Sequence, residues 1–285
     1  MAIIFVLDRK VQSYMFYFNY KRKLFILLAL FIFTTSCTST NECGGSSISA
    51  QSDVTSKTIG ILGGMGPHSS ADFYLDVIEE YLKYENTRPS ILLWNVPLNL
   101  EKEERFIENG EYKEYYLDKL IDGARHLKEG KADFVAIPCN TVHIFFDELE
   151  REVDIRFLSI IKETTKYLVK NDAKKILLLA TSTTIKSKLY STALEEAGIE
   201  VFIPDEEDQV KVDKSIVHLV NNQETINDKQ AMDEIIDKFE AKGVAHLLLA
   251  CTDLQIMLKQ EDHQIKIYDT MKILVSATVK EAIRK

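Results

Sequence analysis

Apolar residues along this chain alternate between two periods. Short runs, apolar almost throughout, stand at about 58–62, 90–96, 132–137, 155–159, 175–180, 199–203, 244–250 and 266–268. Between them lie longer segments with apolar residues at helical spacing. The clearest is 111–129, where Tyr115, Leu117, Leu120, Ile121, Ala124 and Leu127 recur on one face and Gly130 closes the helix. Short unbroken runs between helical segments read as strands buried on both faces, which is the habit of parallel sheets. Further helices are predicted from Ser69 or Ser70, as N-cap candidates, to about Tyr84, over 144–149, from about 160 through Leu168, after Thr184 to Ala197, over 209–221 and 229–242, and from Thr270 to Ile283.

The same grammar occurs twice. Each half opens with a strand and a polar turn, Gly63-Gly64-Met65-Gly66-Pro67 in one and Thr181-Ser182-Thr183-Thr184 in the other. Each closes with a strand that runs into a cysteine: Ile137-Pro138-Cys139-Asn140-Thr141-Val142-His143 and Ala250-Cys251-Thr252-Asp253-Leu254. The pattern predicts an α/β protein of two pseudo-symmetric lobes, 58–159 and 160–267, each a parallel sheet flanked by helices. Ligands of such sheets sit beyond the carboxyl ends of the strands, so the active site is expected in the cleft between the lobes.

Both cysteines fall at that end. A cysteine at a helix N-terminus is favoured as thiolate, and two on opposite walls form an acid–base pair: one removes a proton from a carbon, the other returns one to the opposite face. Asn140, Thr141 and Thr252 are placed to hold a substrate carboxylate and the charge that develops on it. His143 either tunes Cys139 or packs quietly; Asp253 either orients Cys251 or serves as a charge at a helix start. Dinucleotide and P-loop spacings are absent from the glycine turn. No C-x-x-C spacing supports a redox motif or zinc ribbon, and neither a metal nor a cofactor is expected. A disulfide between Cys139 and Cys251 is the alternative in an oxidising compartment.

Three of these stretches, Gly60–Pro67, Pro138–His143 and Ala250–Leu254, together resemble the aspartate/glutamate racemases, in particular the aspartate racemase branch. Leu178–Thr181 with Tyr190, and Ile203-Pro204-Asp205 with Gln209, are similar to that family too. The resemblance runs from Thr58 to the C-terminus. It implies cofactor-independent racemisation of aspartate or a related amino acid by Cys139 and Cys251, with Gly64, Met65, Asn140, Thr141, Thr181 and Thr252 binding substrate and His143 and Asp253 in support. It also implies a homodimer, and a C-terminal segment, 268–285, that returns to the first lobe. One position departs from the family. On an ungapped match Glu101 stands where aspartate racemases carry the arginine that receives the side-chain carboxylate, with Arg105 one helical turn on as a substitute. A glutamate there repels a second carboxylate, which opens the substrate to neutral or other amino acids. A maleate-isomerase-like enzyme and an inactive exported amino-acid-binding protein are the alternatives.

Composition adds two points. Over 285 residues, 46% hydrophobic and 28% charged content is globular, and a net charge of −9 argues against a nucleic-acid partner. The first segment is different: Lys21-Arg22-Lys23, an apolar run Leu24–Phe33, then Thr34-Thr35-Ser36-Cys37. This reads as a secretory signal, residues 1–37, of the bacterial lipoprotein type, with Cys37 lipidated as the membrane attachment and 38–57 a flexible tether that includes Cys43. Met15 is an alternative start. The expected location is the periplasm or cell envelope.

Overall fold

The computed structural model describes residues 56–284. The segment expected to be a signal sequence, with Cys37, and the tether's Cys43 lie outside the described residues. Two four-stranded parallel sheets make up the frame. The first has the order β2-β1-β3-β4, formed by β1 (Ile59–Gly63), β2 (Ile91–Asn95), β3 (Phe134–Ala136) and β4 (Arg156–Leu158). The second repeats it as β6-β5-β7-β8, formed by β5 (Lys175–Leu179), β6 (Glu200–Phe202), β7 (His246–Leu249) and β8 (Lys266–Asp269). Strand order reverses beside β1 in one sheet and beside β5 in the other, so each sheet has a switch point that opens at its carboxyl edge.

The helices are α1 (Pro67–Tyr81), α2 (Leu100–Asn109), α3 (Lys113–Glu129), α4 (Phe146–Glu152), α5 (Ile160–Lys170), α6 (Ser182–Lys186), α7 (Leu189–Glu196), α8 (Glu206–Val220), α9 (Ile226–Glu240) and α10 (Thr270–Ala282). Alternate strand residues choose between cores. Ile59 and Ile61 of β1 meet Phe73 and Val77 of α1, in a central core that also holds Ile176 and Leu178 of β5. Leu62 turns the other way, into an outer core with Leu120 and Ala124 of α3. Leu177 and Leu179 face a second outer core, with Ile216 of α8 and Ile236 of α9. Helices α1, α5, α7 and α10 contribute to the central core and so lie between the sheets. Apolar side chains are needed on both faces of each sheet, and this is why the strands read as unbroken runs.

Four elements differ from the sequence reading. Helix α1 starts at Pro67 after Gly66, so Ser69 and Ser70 are not its caps. Proline suits the first turn because its missing N–H has no partner there. The Ser70 hydroxyl instead accepts from the Gly64 N–H and donates to the Gly66 carbonyl, both at 2.9 Å, and so ties the glycine turn. Helix α2 had no counterpart in the apolar pattern; its signals are local, the Asn99 cap on the Lys102 N–H at 3.1 Å and Gly110 at φ 70°. The helix expected to reach Ala197 is broken into α6 and α7 at Lys188, whose φ is 57°. Finally, no α-helix begins at Cys139: a 3-10 turn, Thr141–Phe145, precedes α4.

At the end of the chain the Asp269 carboxylate accepts from the N–H groups of Met271 (2.8 Å) and Lys272 (3.3 Å), which starts α10. The helix leaves the second sheet and packs against α1 and α5. Buried Glu281 on α10 pairs with Lys57 at 2.5 Å and Arg156 at 3.1 Å. Among the described residues no helix is long and apolar enough to cross a membrane.

Gly64 is fixed by space as well as conformation. Its φ is +100°, and a Cβ there would lie 2.7 Å from the Val96 nitrogen. Gly64→Ala is expected to cost about 1–3 kcal/mol from backbone strain alone, read as a lower midpoint of chemical denaturation with unchanged slope.

Candidate active site

Four turns follow the carboxyl ends of β1, β3, β5 and β7, and all four meet. Between them lies a cavity lined by Met65, Gly66, Cys139, Asn140, Thr141, Val142, Thr181, Cys251, Thr252 and Asp253. Glu103, Phe106 and Ile107 of α2, Tyr116 of α3 and Ile216 and Val220 of α8 complete it. Its volume is ≈30 Å³, room for roughly one or two waters. That is too small for an amino acid, so binding requires the lining to move. A larger open groove, ≈790 Å³, runs along β8 and α10 and contains neither cysteine.

Hydrogen bonds close the seam. The Thr252 hydroxyl donates to the Pro138 carbonyl at 3.2 Å. The Asp253 carboxylate, buried, accepts from the Ser69 hydroxyl. Its Oδ1 lies where a Cβ on Gly66 would come within 2.8 Å, so glycine at 66 is what permits the approach. The hydroxyls of Thr141, Thr181 and Thr184 form a triangle with sides of 3.0, 3.1 and 3.2 Å. Thr181 also caps α6 through the Thr184 N–H at 3.1 Å. From α6, the Thr183 hydroxyl donates to the Phe106 carbonyl and sits 3.2 Å from that of Ile107, which anchors the end of α2.

Asn140 is buried, its amide held on both sides: Nδ2 donates to the Thr270 hydroxyl at 3.0 Å and Oδ1 accepts from the Tyr190 hydroxyl at 2.5 Å. His143 and Gly64 do not line the cavity. The Gly64 N–H is spent on Ser70. His143 clamps the Cys139 turn: Nδ1 lies 2.8 Å from the Cys139 carbonyl, and Nε2 lies 3.2 Å from the Ile160 N–H. An N–H can only donate, so Nε2 accepts, Nδ1 carries the proton and the ring is neutral. Burial pushes its pKa down to about 4. With both nitrogens occupied, His143 has none to offer a metal. No cluster of three His, Cys, Asp or Glu suited to a metal occurs among the described residues.

Cys139 is half-buried, Cys251 buried, and both are free thiols. The expected stabilised thiolate is not what the geometry gives. Desolvation pushes Cys139 up to about 12, against N–H groups of Val142 and Thr141 that favour the thiolate, and Asp253 and Glu103 push further. Cys251 is raised by the same desolvation and by Asp253, whose Oδ2 lies 3.9 Å from its Sγ. In the closed cleft both groups carry their protons.

Glu103 is the residue that the sequence reading missed. Glu101, matched to the substrate-binding arginine, is exposed and pairs with Arg105 at 3.2 Å, and Arg105 is exposed as well. Neither reaches the cavity, so the roles expected of both are corrected: the carboxylate facing the site lies two residues on. Glu103 shares a helix face with Phe106 and Ile107 and is buried with them. That spacing was the available signal, in a segment for which no helix was predicted. Desolvation, then Asp253 and Glu104, push its pKa up to about 7.

A raised carboxyl contributes stability that is complete below its unfolded pKa, near 4.5, and is lost as pH rises through 7. His143 works the other way: its contribution is present above 6.5 and lost as pH falls towards 4. Comparison with Glu103→Gln isolates the first effect. The variant is expected to be more stable than the wild type at pH 8, on the order of 3 kcal/mol, and equal to it at pH 4, by denaturant titration at both pH values.

The comparisons with known proteins agree with this geometry. The Asp/Glu/Hydantoin racemase family model matches residues 62–278. The broad specificity amino-acid racemase RacX of Bacillus subtilis (strain 168) is 30% identical over 226 residues, which cover 78% of this chain and 96% of that protein. An aspartate racemase homologue from Pyrococcus horikoshii OT3 superposes with a TM-score of 0.65 at 29% identity, covering 80% of this chain and 100% of the other. The aspartate racemase of Picrophilus torridus gives 0.68 at 26% identity, covering 80% and 95%. Family and fold coincide: the chain belongs to the Asp/Glu/hydantoin racemase family and is an amino-acid racemase, an isomerase.

Proposed function

We propose that the protein interconverts the L- and D-forms of an amino acid without a cofactor, with Cys139 and Cys251 as the acid–base pair. The observation that carries this reading is that two thiols, delivered by equivalent turns after β3 and β7, line one cavity. One cysteine, as thiolate, takes the α-proton. The other, as thiol, gives its own to the opposite face. The first sulfur ends protonated and the second ends as thiolate, so protons and charge balance and the cycle runs either way. The negative charge on the substrate passes to its carboxylate, where Thr141, Thr181 and Thr252 and the turn N–H groups supply donors.

The raised thiol pKa values give the substrate a part in its own activation. Its α-ammonium brings positive charge into a cleft whose nearest ionisable neighbours are carboxyls, and this favours loss of a proton from a thiol. The homology to a broad specificity racemase and the absence of lysine and arginine from the cavity lining support a substrate range wider than aspartate. The basic and apolar pattern of residues 21–37 supports export and attachment through lipidated Cys37.

In D2O, a panel of L-amino acids is expected to include substrates that gain α-deuterium by NMR and give both enantiomers. Cys139→Ala and Cys251→Ala are each expected to lower racemisation by about 100- to 10,000-fold. Racemisation at the wild-type rate in either variant contradicts a two-base mechanism. Labelling the full chain with radioactive palmitate in a bacterial host checks the anchor: Cys37→Ala is expected to abolish incorporation.

A further inference from the structure

One end of the cleft has a composition that racemisation alone does not require. Glu103 is 6% exposed, and no neighbouring cation or hydrogen-bond donor offsets its desolvation. The Tyr116 hydroxyl is buried and also lacks a partner among the described residues. The Phe106 ring stacks on that of Tyr116, with centroids 3.9 Å apart. All three line the cavity, and Ile216 and Val220 of α8 give it an aliphatic wall.

A buried unpaired carboxyl is costly, and a phenol without a partner adds to the cost. Such groups persist where something completes them. We propose that Glu103, with Tyr116 and Phe106, receives the cationic end of an amino-acid side chain, so that the substrates are amino acids with a basic tail rather than aspartate. The inference rests on the racemase reading. The aliphatic wall suits the methylene stem. The Tyr116 hydroxyl, without a partner, can accept from a cation, and Glu103 completes it with a charge-assisted hydrogen bond. Glu104, beside Glu103 on the same helix and held by Asn221 at 3.1 Å, extends the acidic end towards the surface. A second carboxylate would instead face Glu103 and Asp253, with no guanidinium or ammonium in the lining to offset them.

Three ligands separate the alternatives by calorimetric titration of the wild-type protein: L-lysine, L-norleucine, whose methyl replaces the ammonium, and L-aspartate. Lysine is expected to bind about 10- to 100-fold more tightly than norleucine, with aspartate the weakest. Glu103→Gln is expected to bring lysine and norleucine within about threefold of each other, and Glu103→Arg to favour aspartate over lysine. The proposal is overturned if the wild type binds aspartate more tightly than lysine, or if Glu103→Gln leaves the lysine preference intact. The same panel in D2O separates it from the reading beneath it. Lysine bound without α-deuteration supports the basic-tail site and contradicts the racemase chemistry. Deuteration confined to aspartate supports that chemistry and contradicts the basic-tail site.

Discussion

The seam between the two sheets gathers two thiols, Cys139 and Cys251, and two carboxyls, Glu103 and Asp253, around a space of ≈30 Å³. Desolvation is the largest influence on each and drives all four towards their neutral forms. In the closed cleft both thiols therefore hold their protons, and the hydroxyls of Thr141, Thr181 and Thr184 bond to one another. Reaction needs the seam to open, admit a positively charged ligand and close again. A reactive thiolate pair exposed to water is avoided, and the substrate itself supplies the charge that the site lacks.

The fold makes such a seam from one repeated unit. Two sheets of the same strand order place a switch point at the same edge, and the central layer of α1, α5, α7 and α10 holds those edges face to face. Each wall then supplies one cysteine turn and one polar turn, the latter after β1 or β5. The hydrogen bonds across the seam, Thr252 to Pro138 and Ser69 to Asp253, involve the same short turns that carry the chemistry. Opening the lobes and rearranging the site are in this sense one event.

Much of this was legible in the sequence because it depends on local pattern. Buried parallel strands leave unbroken apolar runs, and the two cysteine turns stand out by repetition. Met65, Thr141, Thr181, Thr252 and Asp253 were placed at strand ends, and they meet in one cavity. What could not be read depends on distance in space. The thiolate expected of a helix N-terminus gave way to burial and to Asp253, and neither shows in the motif. Gly64, a substrate ligand by family resemblance, does not line the cavity, and its φ of +100° and the nearness of Val96 explain the glycine. Glu101 was chosen by counting along the chain; Glu103 faces the cleft because of how α2 is rotated when Thr183 anchors its end.

The central claim is that two thiols address opposite faces of one carbon. Its most direct test is a crystal structure of the protein with a bound unreactive analogue of the substrate, such as an α-methyl amino acid. The account expects the lobes parted enough to hold the ligand, with Cα between the two sulfurs and each Sγ about 3–3.5 Å from it on opposite faces. A ligand with both sulfurs on one face, or with either cysteine beyond reach of Cα in the closed complex, would contradict it.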